Sequence, residues 1–215
     1  MKILYSIIPL LALLFASCAS SPDYHRAGEM VQQGKLFTRS GHYDLAMIEF
    51  ERALNVAPGF PAAYNYMGNA FFMQGEYNLA IREYGRAISM DPDYSKAYNN
   101  LGYAYFEIAE YQSAIKHFND AINSNPDYAK AYNNRGLVYY ALNEYDRALY
   151  DYNMAIKINP RLSKPYDNRG TVRLMLGEQE KACEDFKMAC ELGSCETYDE
   201  LTENNYCSFS YLASR

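Results

Sequence analysis

Residues 129–162 run AKAYNNRGLVYYALNEYDRALYDYNMAIKINPRL, and this 34-residue stretch recurs column by column along most of the chain. Blocks 27–60, 61–94 and 95–128 precede it in the same register and 163–196 follows it, with no residue inserted between blocks. A fixed period of this length marks stacked repeats, each of which covers its apolar face only by packing on its neighbours. Position 8 is glycine in every block (Gly34, Gly68, Gly102, Gly136, Gly170), and positions 20 and 27 are alanine (Ala46 and Ala53 in the first, Ala148 and Ala155 in the fourth). Small residues at fixed sites let two helices approach closely. Position 24 always carries a ring (Phe50, Tyr84, Phe118, Tyr152, Phe186). Proline at position 32 (Pro58, Pro92, Pro126, Pro160) stops a helix, and Ser194 replaces it in the last block. Apolar residues recur at i, i+3, i+4 and i+7 in both halves of each block, which predicts two amphipathic helices. They join near position 15, where Gly41, Gly75, Asn143 and Gly177 suit a left-handed helix end and Ala109 is the exception.

The length and these columns together resemble the tetratricopeptide repeat. The resemblance implies an all-α, right-handed α-solenoid of five helix-turn-helix repeats over 27–196, closed by a disulfide-stapled capping segment at 197–215. Block one is weakest, with Met30 and Gln33 at sites that are usually more apolar, as suits an end repeat facing solvent. The chain has 23 tyrosines and no tryptophan, but Tyr64, Tyr98, Tyr132 and Tyr166 share position 4 while Tyr43, Tyr77, Tyr111 and Tyr145 share position 17. Both are framework sites of this repeat, so most of these rings belong to the core. Two blocks depart from the pattern together: Arg135 and Arg169 stand at the normally apolar position 7, and only those blocks have aspartate at position 23, Asp151 and Asp185. An unpaired charge there would be costly, which predicts the ion pairs Arg135–Asp151 and Arg169–Asp185 between facing helices.

In the family the first helix of each repeat lines the concave face through positions 2, 5, 6, 9, 12 and 13. Carried over, that groove holds Asn65, Asn69 and Phe72, then Lys96, Asn99, Asn100, Tyr103 and Phe106, then Lys130, Asn133, Asn134, Leu137 and Tyr140, then Lys164, Asp167, Asn168 and Thr171. Asparagines can bond a peptide backbone, lysines can meet carboxylates, and rings supply apolar pockets. Some members clamp a C-terminal carboxylate; here Asn69, Asn100 and Lys130 match that set, whereas Asn65 and Asn134 stand where lysine and arginine belong. A carboxylate clamp and a solvated helix face both remain open on these residues.

The balance of 20 Lys plus Arg against 26 Asp plus Glu, without a basic run, argues against a nucleic-acid partner. His25, His42 and His117 are scattered, and no acid, base, nucleophile or phosphate-cradling motif stands out, so no enzymatic activity, metal, cofactor or small-molecule substrate is expected. Lys2 followed by the apolar run Ile3 to Phe15 and then small residues has the layout of an export signal, too short to span a bilayer. Its end, LLFASC, resembles the lipobox of bacterial lipoproteins. The resemblance implies a signal peptide over 1–17, lipidation of Cys18, and a lipidated N-terminus and linker over 18–26, with Ala19 pointing to the outer membrane, facing the periplasm. Several acyl chains would anchor the protein firmly.

An exported chain meets an oxidising compartment, where Cys183, Cys190, Cys195 and Cys207 suggest two disulfides. Cys183 and Cys190 occupy positions 21 and 28, aliphatic in the other blocks, and stand two helical turns apart, about 10 Å, too far to bridge each other. A hairpin turning at 193–195 favours Cys183–Cys207 with Cys190–Cys195; Cys190–Cys207 with Cys183–Cys195, free thiols, or a zinc site lacking the usual CxxC knuckle are the alternatives. The functional expectation is a membrane-anchored scaffold that holds a peptide or protein partner in its groove within the cell envelope, similar in type to lipoproteins that assist pilus secretin assembly and to adaptors of murein hydrolases. The alternative is an accessory or regulatory subunit of an envelope enzyme or of a pilus or export machine.

Overall fold

A computed structural model describes residues 22–207, and the regular structure of those residues is entirely helical. The expected signal peptide, Cys18 and the last eight residues of the tail lie outside the described residues. Eleven helices follow one another: α1 Pro22–Arg39, α2 Tyr43–Val56, α3 Pro61–Met73, α4 Tyr77–Met90, α5 Ser95–Glu107, α6 Tyr111–Ser124, α7 Ala129–Ala141, α8 Tyr145–Ile158, α9 Ser163–Met175, α10 Gln179–Glu191 and α11 Glu196–Glu203. The described residues fall into two compact units that divide after Ala104. In the first, α1 packs on α2, α3 on α4, and α3 also meets both α1 and α2. In the second, α7 pairs with α8 and α9 with α10, while α6 leans on α7, α8 on α9, and α11 on α10.

The hairpin is held by the glycine at position 8 and the ring at position 24. A Cβ on Gly34, Gly68, Gly136 or Gly170 would come within 2.4, 2.5, 2.6 or 2.8 Å of the ring of Phe50, Tyr84, Tyr152 or Phe186 respectively. Each ring is 2 % exposed or less. The ring therefore lies flat on the backbone of the facing helix, a contact that any side chain at position 8 would displace. Gly136→Ala is expected to cost about 1–3 kcal/mol through overpacking, read as a lowered urea midpoint. Gly28→Ala, where a Cβ meets nothing within 4 Å, is the control.

The turn between the two helices is left-handed at Gly41, Gly75, Asn143 and Gly177, with φ of 77°, 79°, 59° and 77°. Ala109 adopts φ 60° as well. Geometry of the hairpin, rather than the residue, dictates this backbone, and alanine bears it at a cost of about 1–2 kcal/mol. At the other end of the hairpin Asp91, Asn125 and Asn159 accept the backbone N–H of Asp93, Asp127 and Arg161 at 3.1 Å, closing a turn around the helix-stopping proline.

Two boundaries differ from those expected. Helix α1 begins at Pro22, so residues 22–26 of the expected linker are helical. Proline is pre-set for a first helical position, Asp23 complements the N-terminal dipole, and the Tyr24 ring meets Phe60 edge-on at 5.3 Å, which gives this extra turn something to pack against. At the far end α11 begins at Glu196, one residue before the expected capping segment, and stops at Glu203, and a turn with Asn205 at φ 59° delivers Cys207.

The two arginines at position 7 form the predicted ion pairs. Arg135 Nε and Nη2 donate to the two carboxylate oxygens of Asp151 at 2.8 and 2.7 Å, and its remaining nitrogen donates to Asn119. Arg169 grips Asp185 in the same way at 2.9 and 2.6 Å and also reaches Asn153. Asp185 further accepts from Arg173 at 2.8 Å, a partner the repeat columns did not suggest. Asp151 is fully buried; burial raises its pKa, and the hydrogen bonds from Arg135 oppose the rise.

Candidate partner-binding face

In the first unit the columns expected to line a groove are joined into one surface. Asn100 on α5 donates from Nδ2 to Asn65 Oδ1 and to Asn69 Oδ1 on α3, both at 3.0 Å. Phe72 on α3 lies 5.5 Å from Tyr103 on α5 and 5.2 Å from Tyr77. Lys35 on α1 sets its ammonium 4.9 Å from the centre of the Tyr66 ring on α3. Apart from Phe72–Tyr77, which joins α3 to the start of α4, these contacts link neighbouring first helices.

The amides are spent on each other. Asn99 Nδ2 reaches Asn100 Oδ1 at 3.4 Å, and in the second unit Asn168 Nδ2 donates to Asn133 Oδ1 at 2.9 Å while Asn133 Nδ2 donates to Asn134 Oδ1 at 3.1 Å. Asn65, Asn99 and Asn133, all at position 5, are 3, 6 and 8 % exposed. This corrects the expectation that they offer hydrogen bonds to a partner: all three are buried, Asn65 and Asn133 are rungs of an amide ladder between repeats, and Asn99 bonds its own neighbour Asn100. The carboxylate-clamp resemblance weakens for the same reason, since both Nδ2 bonds of Asn100 end on Asn65 and Asn69. Open to solvent are Lys96, Lys130 and Lys164, with Phe72, Tyr103, Phe106, Tyr140, Asn69, Asn100, Asn134 and Asn168 half-buried.

The ladder explains two further columns. In the last block its position-5 residue is Asp167, whose Oδ2 accepts from the Ser194 hydroxyl at 2.6 Å. Ser194 stands where other blocks have proline, and proline has no side-chain donor to finish the rung. Position 9 decides the fate of the ring hydroxyl at position 24: Tyr84 donates to Asn69 Oδ1 at 2.8 Å, whereas Leu137 holds that position in the fourth repeat and the buried Tyr152 hydroxyl has no hydrogen-bond partner. Burial raises the pKa of both phenols. Tyr84→Phe is expected to cost about 1 kcal/mol, and Tyr152→Phe to be neutral or to stabilise by up to about 1 kcal/mol because it removes an unpaired buried hydroxyl. Urea denaturation of the two variants should move in opposite directions or split by that margin.

Sequence reasoning missed Lys35 and Tyr66. Both stand at concave columns, positions 9 and 6; treating the first block as a solvent-facing end hid Lys35 on α1, and Tyr66 on α3 is a ring at a column where the next two blocks carry asparagine. At the other end of the chain the structure bonds Cys183 to Cys207, with Cα atoms 5.5 Å apart, and Cys190 to Cys195. Cys190, Cys195 and Asp199 are the one group among the described residues with metal-ligand geometry, and the disulfide occupies both of its sulfurs.

Helical hairpins that place a small residue under a ring, turn left-handed, and stack their first helices through an amide ladder define a helix-repeat protein whose exposed chemistry lies on one face. Family models for the TPR repeat match residues 68–108 and 109–143, and the tetratricopeptide-repeat model matches 129–162. The crystal structure of MamA is similar at 30 % identity and TM-score 0.62, over 76 % of this chain and 96 % of its own. PilF of Pseudomonas aeruginosa shares the fold at 18 % identity and TM-score 0.75, over 89 and 90 % of the two chains. YrrB, a TPR protein with an unusual peptide-binding site, shares it at 16 % identity and TM-score 0.59, over 81 and 90 %. No curated protein sequence matches. The chain belongs to the tetratricopeptide-repeat family.

Proposed function

We propose that the protein is a non-catalytic interaction scaffold that holds a peptide or protein partner on the inner face of its first helices. The observation that carries this reading is the set of half-buried rings, Tyr66, Phe72 and Tyr103, beside Lys35 and the exposed Lys96, on a face of the first unit where Asn100 is bonded to Asn65 and Asn69: apolar and cationic groups stand ready on a frame already held together. Peptide binding by YrrB, which has the same fold, supports the reading by analogy. The scaffold acts in the cell envelope, tethered by lipid at Cys18 to the outer membrane and facing the periplasm; the LLFASC stretch and the oxidised cysteine pairs support that placement.

A photo-crosslinking amino acid in place of Tyr103, in intact cells, should give a discrete covalent adduct, and the same group in place of the exposed Glu51 on α2 should not. Equal labelling from both sites, or none, would sink the groove as the contact surface. Cys18→Ala should move the protein from the membrane fraction to the soluble one, and retention in the membrane would remove the lipid tether.

A further inference from the structure

We infer that the inner face of the first unit takes an acidic protein segment carrying an aromatic or large aliphatic side chain. This rests on the reading of that face as a partner surface and specifies which partners fit. Charge is the first observation. At positions 2, 5, 6, 9, 12 and 13 of α1, α3 and α5 the charged residues are Lys35, Arg39 and Lys96, against a single acid, Glu107, at the last position of α5. The chain as a whole has 20 basic and 26 acidic residues, a net of −6; without these three cations it has 17 and 26, a net of −9. A basic face on an acidic protein attracts acidic segments and repels basic ones.

The second observation is what the face offers besides charge. Its amides are engaged: Asn100 bonds Asn65 and Asn69, and Asn69 also accepts from Tyr84. Recognition therefore falls to cations and rings. Phe72, Tyr77 and Tyr103 form a tilted cluster with centroids 5.2 and 5.5 Å from Phe72, and Met73 beside them is 55 % exposed. A flat or branched apolar side chain fits against such rings and an adaptable thioether. The cations share the columns of this face: Lys96 stands two turns before Tyr103 on α5, and Arg39 occupies on α1 the column that Met73 holds on α3. Lys35 and Arg39 stand one turn apart on α1, and Lys96 one turn before Asn100 on α5. Stacking on Tyr66 and a 2.9 Å bond to Gln32 hold the Lys35 ammonium in place.

The test uses the soluble full-length chain with Cys18 replaced by alanine, and fluorescein-labelled synthetic peptides built from Glu and Phe, Glu and Ser, Ser and Phe, or Lys and Phe. Fluorescence anisotropy should show the Glu/Phe peptide binding about tenfold or more tightly than the other three, with affinity rising as salt is lowered. Lys35→Glu with Lys96→Glu should weaken that peptide about tenfold and improve the Lys/Phe peptide, a gain that damage to the fold would not produce. Arg52→Glu with Lys157→Glu, exposed cations outside the face, should change neither. Equal binding of the Glu/Phe and Lys/Phe peptides, or indifference to the Lys35/Lys96 reversal, would overturn the acidic specificity and leave the scaffold reading standing. Binding of no peptide, together with no crosslink from position 103 in cells, would overturn both.

Discussion

Asp151→Ala is expected to destabilise the second unit by about 3–5 kcal/mol, because it strands the Arg135 guanidinium in a site that water reaches poorly. The magnitude follows from geometry. Both carboxylate oxygens are held by Arg135, Asp151 is fully buried, and Arg135 lies 5.6 and 5.9 Å from the centres of the Tyr132 and Tyr139 rings, which leave it little solvent. Asp185→Ala should behave alike and strand two cations, Arg169 and Arg173. Asp93→Ala, at an exposed site, should shift the melting temperature far less. The double replacement Arg135→Met with Asp151→Leu gives position 7 the apolar character it has at Met67 and Leu101 and leaves neither charge stranded, and is expected to recover most of the loss. Equal effects of Asp151→Ala and Asp93→Ala in thermal melts would show that the pair contributes nothing.

Breaking the Cys183–Cys207 bond, by Cys183→Ser with Cys207→Ser, is expected to cost about 3 kcal/mol, since the bond closes a separation of 24 residues and removes that loop entropy from the unfolded chain. Cys190–Cys195 closes only 5 residues, and its removal is expected to cost nearer 2 kcal/mol. The larger effect has a local signature. Cys207 is 4 % exposed, Gln179 on α10 donates to the Tyr206 carbonyl at 2.7 Å, and α11 is tied to α10 through this region. Amide hydrogen exchange over 196–203 should accelerate in the Cys183/Cys207 variant while α7 and α8 keep their protection. A non-reduced peptide map that instead joined Cys190 to Cys207 would replace this account with the other pairing.

Periodicity carried the repeat boundaries, because each column has one physical job. Glycine lies under a ring, alanines sit where helices touch, and proline ends the second helix; five copies of the same constraint are hard to misread. The ion pairs were legible for a related reason, as Arg135 and Asp151 depart from their columns together. The amide ladder was not. Asparagine at positions 5 and 6 has the same composition whether it faces a partner or a neighbouring repeat, and only the distance from Asn100 to Asn65 and Asn69 separates the two. Lys35 escaped because the first block matches the family least, although its first helix joins the same face; Tyr66, at position 6 of the second block, stands where the next two blocks carry asparagine.

The chain by itself determined an all-helical repeat protein, its register and the exclusion of a Cys183–Cys190 bond, since these follow from spacing along a helix of known rise and turn, while the pairing of the four cysteines was decided by the structure. Tertiary structure decided which polar groups on the inner face remain for a partner. Hydrogen bonds between side chains 31 or 35 residues apart, such as Asn69 or Asn65 to Asn100, form only once successive hairpins stack, and they turn residues that looked like recognition elements into the frame that holds the rings and lysines in place.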